Sequence, residues 1–513
     1  MTKENVCILI SIVLYLALVV GIGIYYTKKN RTTDDFFLGG RRLGPLVTAM
    51  SAEASDMSSW LLMGLPGLAY LTGLADPFWT AVGLAVGTYV HWLIVAKPLR
   101  IYTQKTGSNT IPDFFSDRFG DKKNVLAAIA ALVIIVFFIP YTASGFSACG
   151  KLFSTLFGTD YHMAMIISAV VIVLYCTLGG FLAASTSDFI QSIIMTVAIF
   201  AILGFGTYSV GGVDVVVENV KGIAGYFDVT KFIPDGVFSG QPKDYSLLTI
   251  FSTLAWGLGY FGMPHILLRF MAVEDHKKLT LSRRIASVWV VISMAVAILI
   301  GVIGYSMTKN GVIGQLADSE TIIIDISKVI ASYGIVPALL AGVILAGILA
   351  ATMSTADSQL LAAASSASQN IIKGLFIKNL SEKKAMIIAR LSVVIISVIA
   401  VFIAWNPNSS VFKIVSFAWA GFGAAFGPLM LCALFWKRTN KLGALAGMIS
   451  GGIMVFVWKF IVRPMGGILD IYELLPAFIV SLVAIIVVSL LTKAPEREVT
   501  DTFDEVKALA KNK

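Results

Sequence analysis

Apolar runs of about 20 residues alternate with short polar connections along almost the whole chain, and that is the length an α-helix needs to cross a bilayer core. The pattern predicts thirteen spans, at 6–26, 46–71, 78–96, 124–148, 161–178, 187–210, 245–271, 285–307, 336–364, 384–405, 411–435, 442–462 and 474–491. The gaps are too short for a globular domain. The longest, 211–244, is rich in Gly, Val and Asp and reads as an external loop. Residues 492–513 are charged and read as a cytosolic tail, helical or unstructured.

Two spans are interrupted. The stretch SAEASDMSSWLLMGLPG (51–67) places four serines, Glu53 and Asp56 inside an otherwise apolar run. A charge at mid-bilayer costs ~3 kcal/mol on insertion scales, so the stretch reads as a cation and solute site built from freed carbonyls and hydroxyls. The alternative is a re-entrant bend or a polar helix face packed on a neighbour. The second interruption is AWGLGYFGMPHIL (255–267), where Gly257, Gly259, Gly262 and Pro264 fall in one window and weaken the helix. Broken helices at the midplane are where transporters bind ions and substrate. The two lie five spans apart, the spacing expected if 46–210 and 245–435 are inverted-topology repeats of five helices each. Residues 1–45 then form a leading helix and inner loop, and 436–491 two trailing helices.

Composition agrees with the pattern. Of 513 residues, 57% are hydrophobic and only 13% charged, where a soluble domain carries about 25%. Mean hydropathy is +0.85. The net charge of +9 does not point to nucleic acid, because the basic residues are scattered over short loops. With the N-terminus placed outside, the inner segments carry 26 Lys and Arg and the outer ones 8, a strong positive-inside bias that puts the C-terminal tail inside. No cleavable signal is read, and the first run, Val6–Tyr26, is long enough to span. The cysteines, Cys7, Cys149, Cys176 and Cys432, lack metal-ligand spacing and read as buried thiols.

Three further groups could carry chemistry. In AGILAATMSTADSQLLAAASS (346–366), Ser354, Asp357 and Ser358 share one helix face with Thr355 beside them, an oxygen-rich set for a hard cation or a small-residue packing face. Trp256, Tyr260 and Pro264 recur at i, i+4 and i+8, as aromatic walls for a small, partly apolar solute or as a core stripe. Asp188 opens the span at 187–210, after the tight connection at Gly179 and Gly180, as a functional carboxylate or a helix cap. There is no P-loop, HExxH, GxSxG or CxxC motif, so the chain reads as a non-enzyme whose energy comes from an ion gradient or from none.

These motifs, from FFLGGRRLGPLVTAMSAEASDMSSWLLMGLPG through GGFLAASTSDFIQ and AWGLGYFGMPHILLRFM to ILAATMSTADSQLL, resemble those of the sodium:solute symporter family, in order and over nearly the whole chain. The resemblance implies an all-α polytopic protein of the plasma membrane with a LeuT-type fold of 5+5 inverted repeats. It implies Na⁺ as the co-transported ion and L-proline as the solute, with another amino acid, pantothenate, a sugar or a carboxylate as the alternative. A sensor or a channel on the same scaffold is the reading from another class, and the short tail leaves a sensor no signalling domain.

Carried over by position, the resemblance implies sodium ligation by the carbonyls of Ala54, Met57 and Ala351 and the hydroxyls of Ser354 and Thr355. It implies sodium coupling through Asp56, Asp188 and Arg41, and solute contacts from Ser58, Tyr141, Trp256, Tyr260 and Pro264. Asp188, Ser354, Asp357 and Ser358 could form a second cation site, or Asp357 could pair with a loop Lys or Arg. The sequence departs from the family pattern at Glu53 and Ser59, where glycine is usual, and at Met263, where glutamine is usual. Glu53 is expected to face a water-filled pathway or to pair with a basic residue.

Overall fold

The computed structural model describes residues 2–27, 33–377 and 381–511. Basic residues at 28–32 and 378–380 that entered the positive-inside count, and the end of the tail, lie outside them. The first helices are α1 (Lys3–Thr27), α2 (Thr33–Leu38), α3 (Pro45–Ser59), α4 (Leu65–Thr72), α5 (Ala75–Ile94), α6 (Ala96–Thr106) and α7 (Ile111–Arg118). They are followed by α8 (Val125–Phe157), α9 (Tyr161–Ser209), α10 (Val213–Lys221), α11 (Leu247–Leu254), α12 (Pro264–Ala272), α13 (Leu279–Lys309) and α14 (Ile322–Ala331). The last are α15 (Ile335–Ser365), α16 (Glu382–Ile403), α17 (Val411–Phe435), α18 (Lys441–Val457), α19 (Leu474–Leu491) and α20 (Arg497–Lys511). The long connection 211–244 contains α10 and a two-residue antiparallel ladder, Lys231–Phe232 with Lys243–Asp244.

Among the described residues, nine helices are long and apolar enough to cross a membrane, or eleven with two bent pairs, Ala75–Ile94 with Ala96–Thr106 and Leu247–Gly262 with Pro264–Ala272. The spans predicted at 46–71 and 161–178 fall on shorter helical pieces. Burial sorts the helices. The most apolar window of α17 is 89% buried, against 28% for α1 and 22% for the helix starting at Lys441, so α17 is central and the others present apolar faces to lipid.

Both interruptions are real breaks. In α3, Ser58 has φ 48° and ψ −172°, and a π-helical turn at Trp60–Gly64 separates it from α4. Between α11 and α12 the chain runs as 3₁₀-helix over Ala255–Gly262, then turns at Met263 (φ −78°, ψ 107°), with Pro264 at the first turn of α12. The connection in α9 is a break at Gly180 (φ 63°, ψ −170°). The glycines of the 3₁₀ stretch allow backbone contact. A Cβ on Gly257 would sit 2.2 Å from the Gly83 carbonyl oxygen, and one on Gly259 would sit 1.9 Å from the Trp419 ring.

The two ends of the helical body are fastened differently. At the basic-loop end, Leu43 bridges Val273, its N–H donating to Ala272 O at 3.1 Å, and ties the entrance of α3 to the exit of α12. Here α20 docks with Phe503 buried, and Arg118 lies between the Phe119 and Phe503 rings, 4.9 and 4.8 Å from their centroids, while donating to Ala433 O at 2.6 Å. At the opposite end, Glu320 accepts from Lys151 Nζ (2.7 Å), Ser410 Oγ (2.8 Å) and the N–H groups of Val411 and Phe412 (both 3.1 Å). That carboxylate caps the start of α17 and joins it to α8.

Gly257→Ala is expected to cost about 1–3 kcal/mol by overpacking backbone against backbone. Thermal melting in detergent should show the drop, and Gly204→Ala, with nothing within 4 Å of the new methyl, serves as the control.

Candidate ion and solute site

Where α3 meets α15, four of the five residues selected for sodium are joined. Ser354 Oγ donates to Ala54 O (2.8 Å) and Ala351 O (3.1 Å), and Thr355 Oγ1 donates to Ala351 O at 3.1 Å. Met57 follows one turn on, at the break, where its carbonyl accepts the Trp60 N–H. All five residues are buried. Two carbonyls and two hydroxyls, uncharged and oxygen only, are the donor chemistry of a hard monovalent cation.

Asp56 stands on the neighbouring face of α3. Its Oδ2 accepts from Tyr260 OH at 2.6 Å and its backbone carbonyl from Tyr141 OH at 3.1 Å, while Oδ1 has no partner. A tight crevice with room for about one water molecule lies here, lined by Asp56, Met57, Trp60, Tyr141, Trp256 and Trp419 with Leu84 and Val415. Trp256 is packed by Trp60 (5.7 Å between centroids), Phe412 (5.5 Å) and Tyr472 (5.2 Å, stacked), and Trp419 Nε1 donates to Trp256 O at 2.8 Å. A second, closed-down cavity shares Tyr141 with it and is lined by polar residues including Ser58, Ser59, Thr142, Thr355 and Gln359. Ser58, Tyr141 and Trp256 thus line the two cavities, and Tyr260 holds Asp56. Pro264 lines neither and serves as the first residue of α12.

Asp188, Asp357 and Ser358 form a separate buried cluster around Arg269. Arg269 Nη2 donates to Asp188 Oδ2 (3.0 Å) and Ser358 Oγ (2.5 Å), and its Nε to Ser51 Oγ (3.1 Å), which itself donates to Asp188 Oδ2 at 2.6 Å. Ser358 donates to Asp357 Oδ1 at 3.0 Å, and Tyr175 OH donates to Asp357 Oδ2. Ser354 makes its hydrogen bonds with Ala54 and Ala351 instead, so the four residues grouped as a second cation site divide between two places. Asp357, offered as a partner for a loop Lys or Arg, is held by Tyr175 and Ser358 instead, and the guanidinium of the cluster, which comes from a broken span, hydrogen-bonds Asp188. Asp188 also lies well inside its helix, past the break at Gly180, so the helix-cap reading is corrected.

Arg41 is not among these groups. It holds Met271 O (2.8 Å), Thr103 O (3.1 Å) and Ser108 O (2.7 Å) at the basic-loop end. Glu53 accepts from Trp92 Nε1 at 3.0 Å, so its partner is an indole and not the basic residue expected. The sequence reading passed over Arg269, Trp92, Trp60, Trp419 and Tyr472. Arg269 carried a signal, a lone charge within a span. Trp92 and Trp419 carried none, since each sits in an ordinary apolar run, whereas Trp60 lies in the polar stretch at 51–67 and Tyr472 in the connection before α19, and their partners come together only in three dimensions.

Arg269→Gln leaves Asp188 and Asp357 buried without a counter-charge, an arrangement costing about 3–5 kcal/mol. The variant is expected to melt well below the parent in detergent, and adding Asp188→Asn should recover part of the loss.

Comparison with known proteins gives this arrangement a context. Residues 36–451 match the sodium:solute symporter family. The sodium/proline symporters of Staphylococcus aureus strains USA300 / TCH1516 and NCTC 8325 / PS 47 are each 40% identical over 98% of this chain and 96% of their own. Among solved structures, a Na⁺-coupled sialic acid symporter in a substrate-bound outward-open state superposes with a TM-score of 0.78 at 19% identity, covering 97% of this chain and 99% of that one. A nucleobase-cation-symport-1 family transporter in a closed conformation gives 0.53 at 15% identity, covering 93% and 98%. The fold is the LeuT type shared by such symporters, and the chain is a multi-pass membrane transporter rather than an enzyme. The chain belongs to the sodium:solute symporter family, in which sodium is the co-transported ion for a small solute.

Proposed function

We propose that this protein couples inward sodium movement to the uptake of L-proline. The observation that carries the solute is the likeness to sodium/proline symporters over 98% of the chain. The aromatic cavity beside a broken helix supports it, since a small ring needs apolar walls and few polar contacts. In this reading thirteen spans place the N-terminus outside and the tail inside, 46–210 and 245–435 are the two repeats, and the end bearing α6, α7 and α20 faces the cytosol.

Sodium would be held by the carbonyls of Ala54, Met57 and Ala351 and the hydroxyls of Ser354 and Thr355. The two hydroxyls would swing their protons off the carbonyls and present oxygen lone pairs to the ion. Sodium so placed draws α3 and α15 together and fixes the break that shapes the solute pocket at Ser58, Tyr141, Trp256 and Tyr260. The coupling is reciprocal: sodium and solute raise each other's affinity by one factor. Asp56 touches both halves of the site through Tyr141 and Tyr260. Asp188 with Arg269, and Arg41, act at a distance by tying broken spans to their neighbours. A second reading, the same coupling with a different small solute, is favoured by Ser59, an added hydroxyl that lines the polar cavity.

Proteoliposome uptake under sodium, lithium and proton gradients tests the proposal, and proline uptake indifferent to sodium overturns it. Ser354→Ala or Thr355→Ala should raise the sodium concentration for half-maximal uptake by roughly tenfold, the value of one lost ligand. Trp256→Ala should weaken the apparent affinity for proline more than that for sodium; equal losses would count against its place in the pocket.

A further inference from the structure

The two adjoining cavities differ in kind. The aromatic one contains a single charged group, Asp56, whose Oδ1 is buried and unpartnered although the residue is 5% exposed. Tyr260 fixes the other oxygen, so the carboxylate cannot turn away to satisfy both. Beside it stand Trp60, Trp256 and Trp419, and an indole face attracts a cation best when the site is dry. The polar cavity, across Tyr141, has the opposite need. Gln359 is held by Thr142 Oγ1, which donates to its Oε1 at 3.2 Å, and this leaves the Gln359 Nε2 donor buried without an acceptor. The Ser59 hydroxyl is buried and unpartnered in the same cavity. The Trp60 Nε1 donor at the aromatic cavity is likewise buried without a partner, so four unsatisfied groups lie at the adjacent cavities; buried polar groups in folded proteins are almost always satisfied, and these mark what the ligand supplies.

We infer that the pocket is built for a zwitterion read at both ends: Asp56 with the indole faces takes a cationic ammonium centre, and Gln359 Nε2 with the Ser59 hydroxyl takes a carboxylate. This deepens the proline reading, on whose pocket it rests, by naming the solute class and the group that binds each end. It excludes sugars, which bring no charge to Asp56, and solutes whose only charge is negative, such as a simple carboxylate. It also admits secondary, tertiary and quaternary ammonium centres alike, because cation–π attraction asks for charge and not for a particular number of N–H donors.

Ligand-induced thermal stabilisation of the purified full chain in detergent, with sodium present, tests this without requiring transport. The probes are L-proline, its N,N-dimethyl betaine, tetrahydro-2-furoate, in which a ring oxygen replaces the amine, and L-prolinamide, which lacks the carboxylate. Glycine betaine and glucose complete the panel. Proline and its betaine should stabilise the protein, whereas tetrahydro-2-furoate and prolinamide should each bind roughly tenfold or more weakly, the cost of one buried unpaired partner. Gln359→Leu should weaken proline while leaving prolinamide unchanged, and Asp56→Asn should remove the preference for proline over tetrahydro-2-furoate. If proline fails to bind and glycine betaine succeeds, the proline reading falls and the two-ended site stands. If tetrahydro-2-furoate binds as tightly as proline, or if glucose binds and no ammonium zwitterion does, the two-ended site is overturned.

Discussion

A backbone amide or carbonyl without a partner cannot survive in hydrocarbon, and the organisation of this protein follows from that constraint. Breaking α3 at Ser58 and the later broken span at Met263 frees several such groups within apolar spans. They persist because the breaks are packed inside the bundle, against α5, α15 and α17, where other chain segments and side chains meet them. The Asp56 carbonyl takes the Tyr141 hydroxyl, the Ala54 carbonyl takes Ser354, and the Trp256 carbonyl takes the Trp419 indole. Of these three oxygens, the Ala54 carbonyl is the one shared with the proposed sodium site, so at that point an ion would take over a carbonyl that Ser354 covers in this structure.

Close packing makes this possible. Gly83 and Gly87 of α5 face Gly257, so the unwound stretch lies against its neighbour backbone to backbone, and Gly259 leaves room for the Trp419 ring. A side chain at either place would push the aromatic cavity away from Asp56. The charge cluster around Arg269 works one turn further along the same two broken elements. It fastens α12 to α3, α9 and α15 through Ser51, Asp188 and Ser358, so that any shift of α12 is felt by three helices at once.

Much of the fold was legible in the sequence because its signals are local. A run of 20 apolar residues, a Gly-Gly break and a polar stretch inside a span each announce themselves without knowledge of what lies nearby. The stretches proposed to hold the ion stood out for the same reason: SAEASDM and ATMST put oxygen-bearing side chains into otherwise apolar spans, while the individual ligands were implied by the family resemblance. What stayed hidden depends on distance in sequence. Glu53 finds Trp92, 39 residues on, and Trp256 finds Tyr472 in the segment leading into α19. Neither Trp92 nor Tyr472 differs in pattern from a lipid-facing aromatic. Arg269 is the exception that could have been read, since an arginine within LLRFM demands a carboxylate, and Asp188 and Asp357 were already in view.

The docking of α20 bears on how the molecule is made. Arg118 is complete only with aromatic rings on both faces; Phe119 is its immediate neighbour, and Phe503 arrives hundreds of residues later. Chains emerge from the ribosome in order, and domains form as their parts appear. During synthesis, then, the buried guanidinium of α7 waits half-clad while the whole helical body inserts, and the basic-loop end closes only when α20 has been delivered. Lys105 with Glu505 and Lys437 with Asp504 add ionic guidance to that late arrival, since oppositely charged pairs steer a segment to its berth before contact is made. Docking of α20 thus closes over a charge that the helices before it leave open on one face.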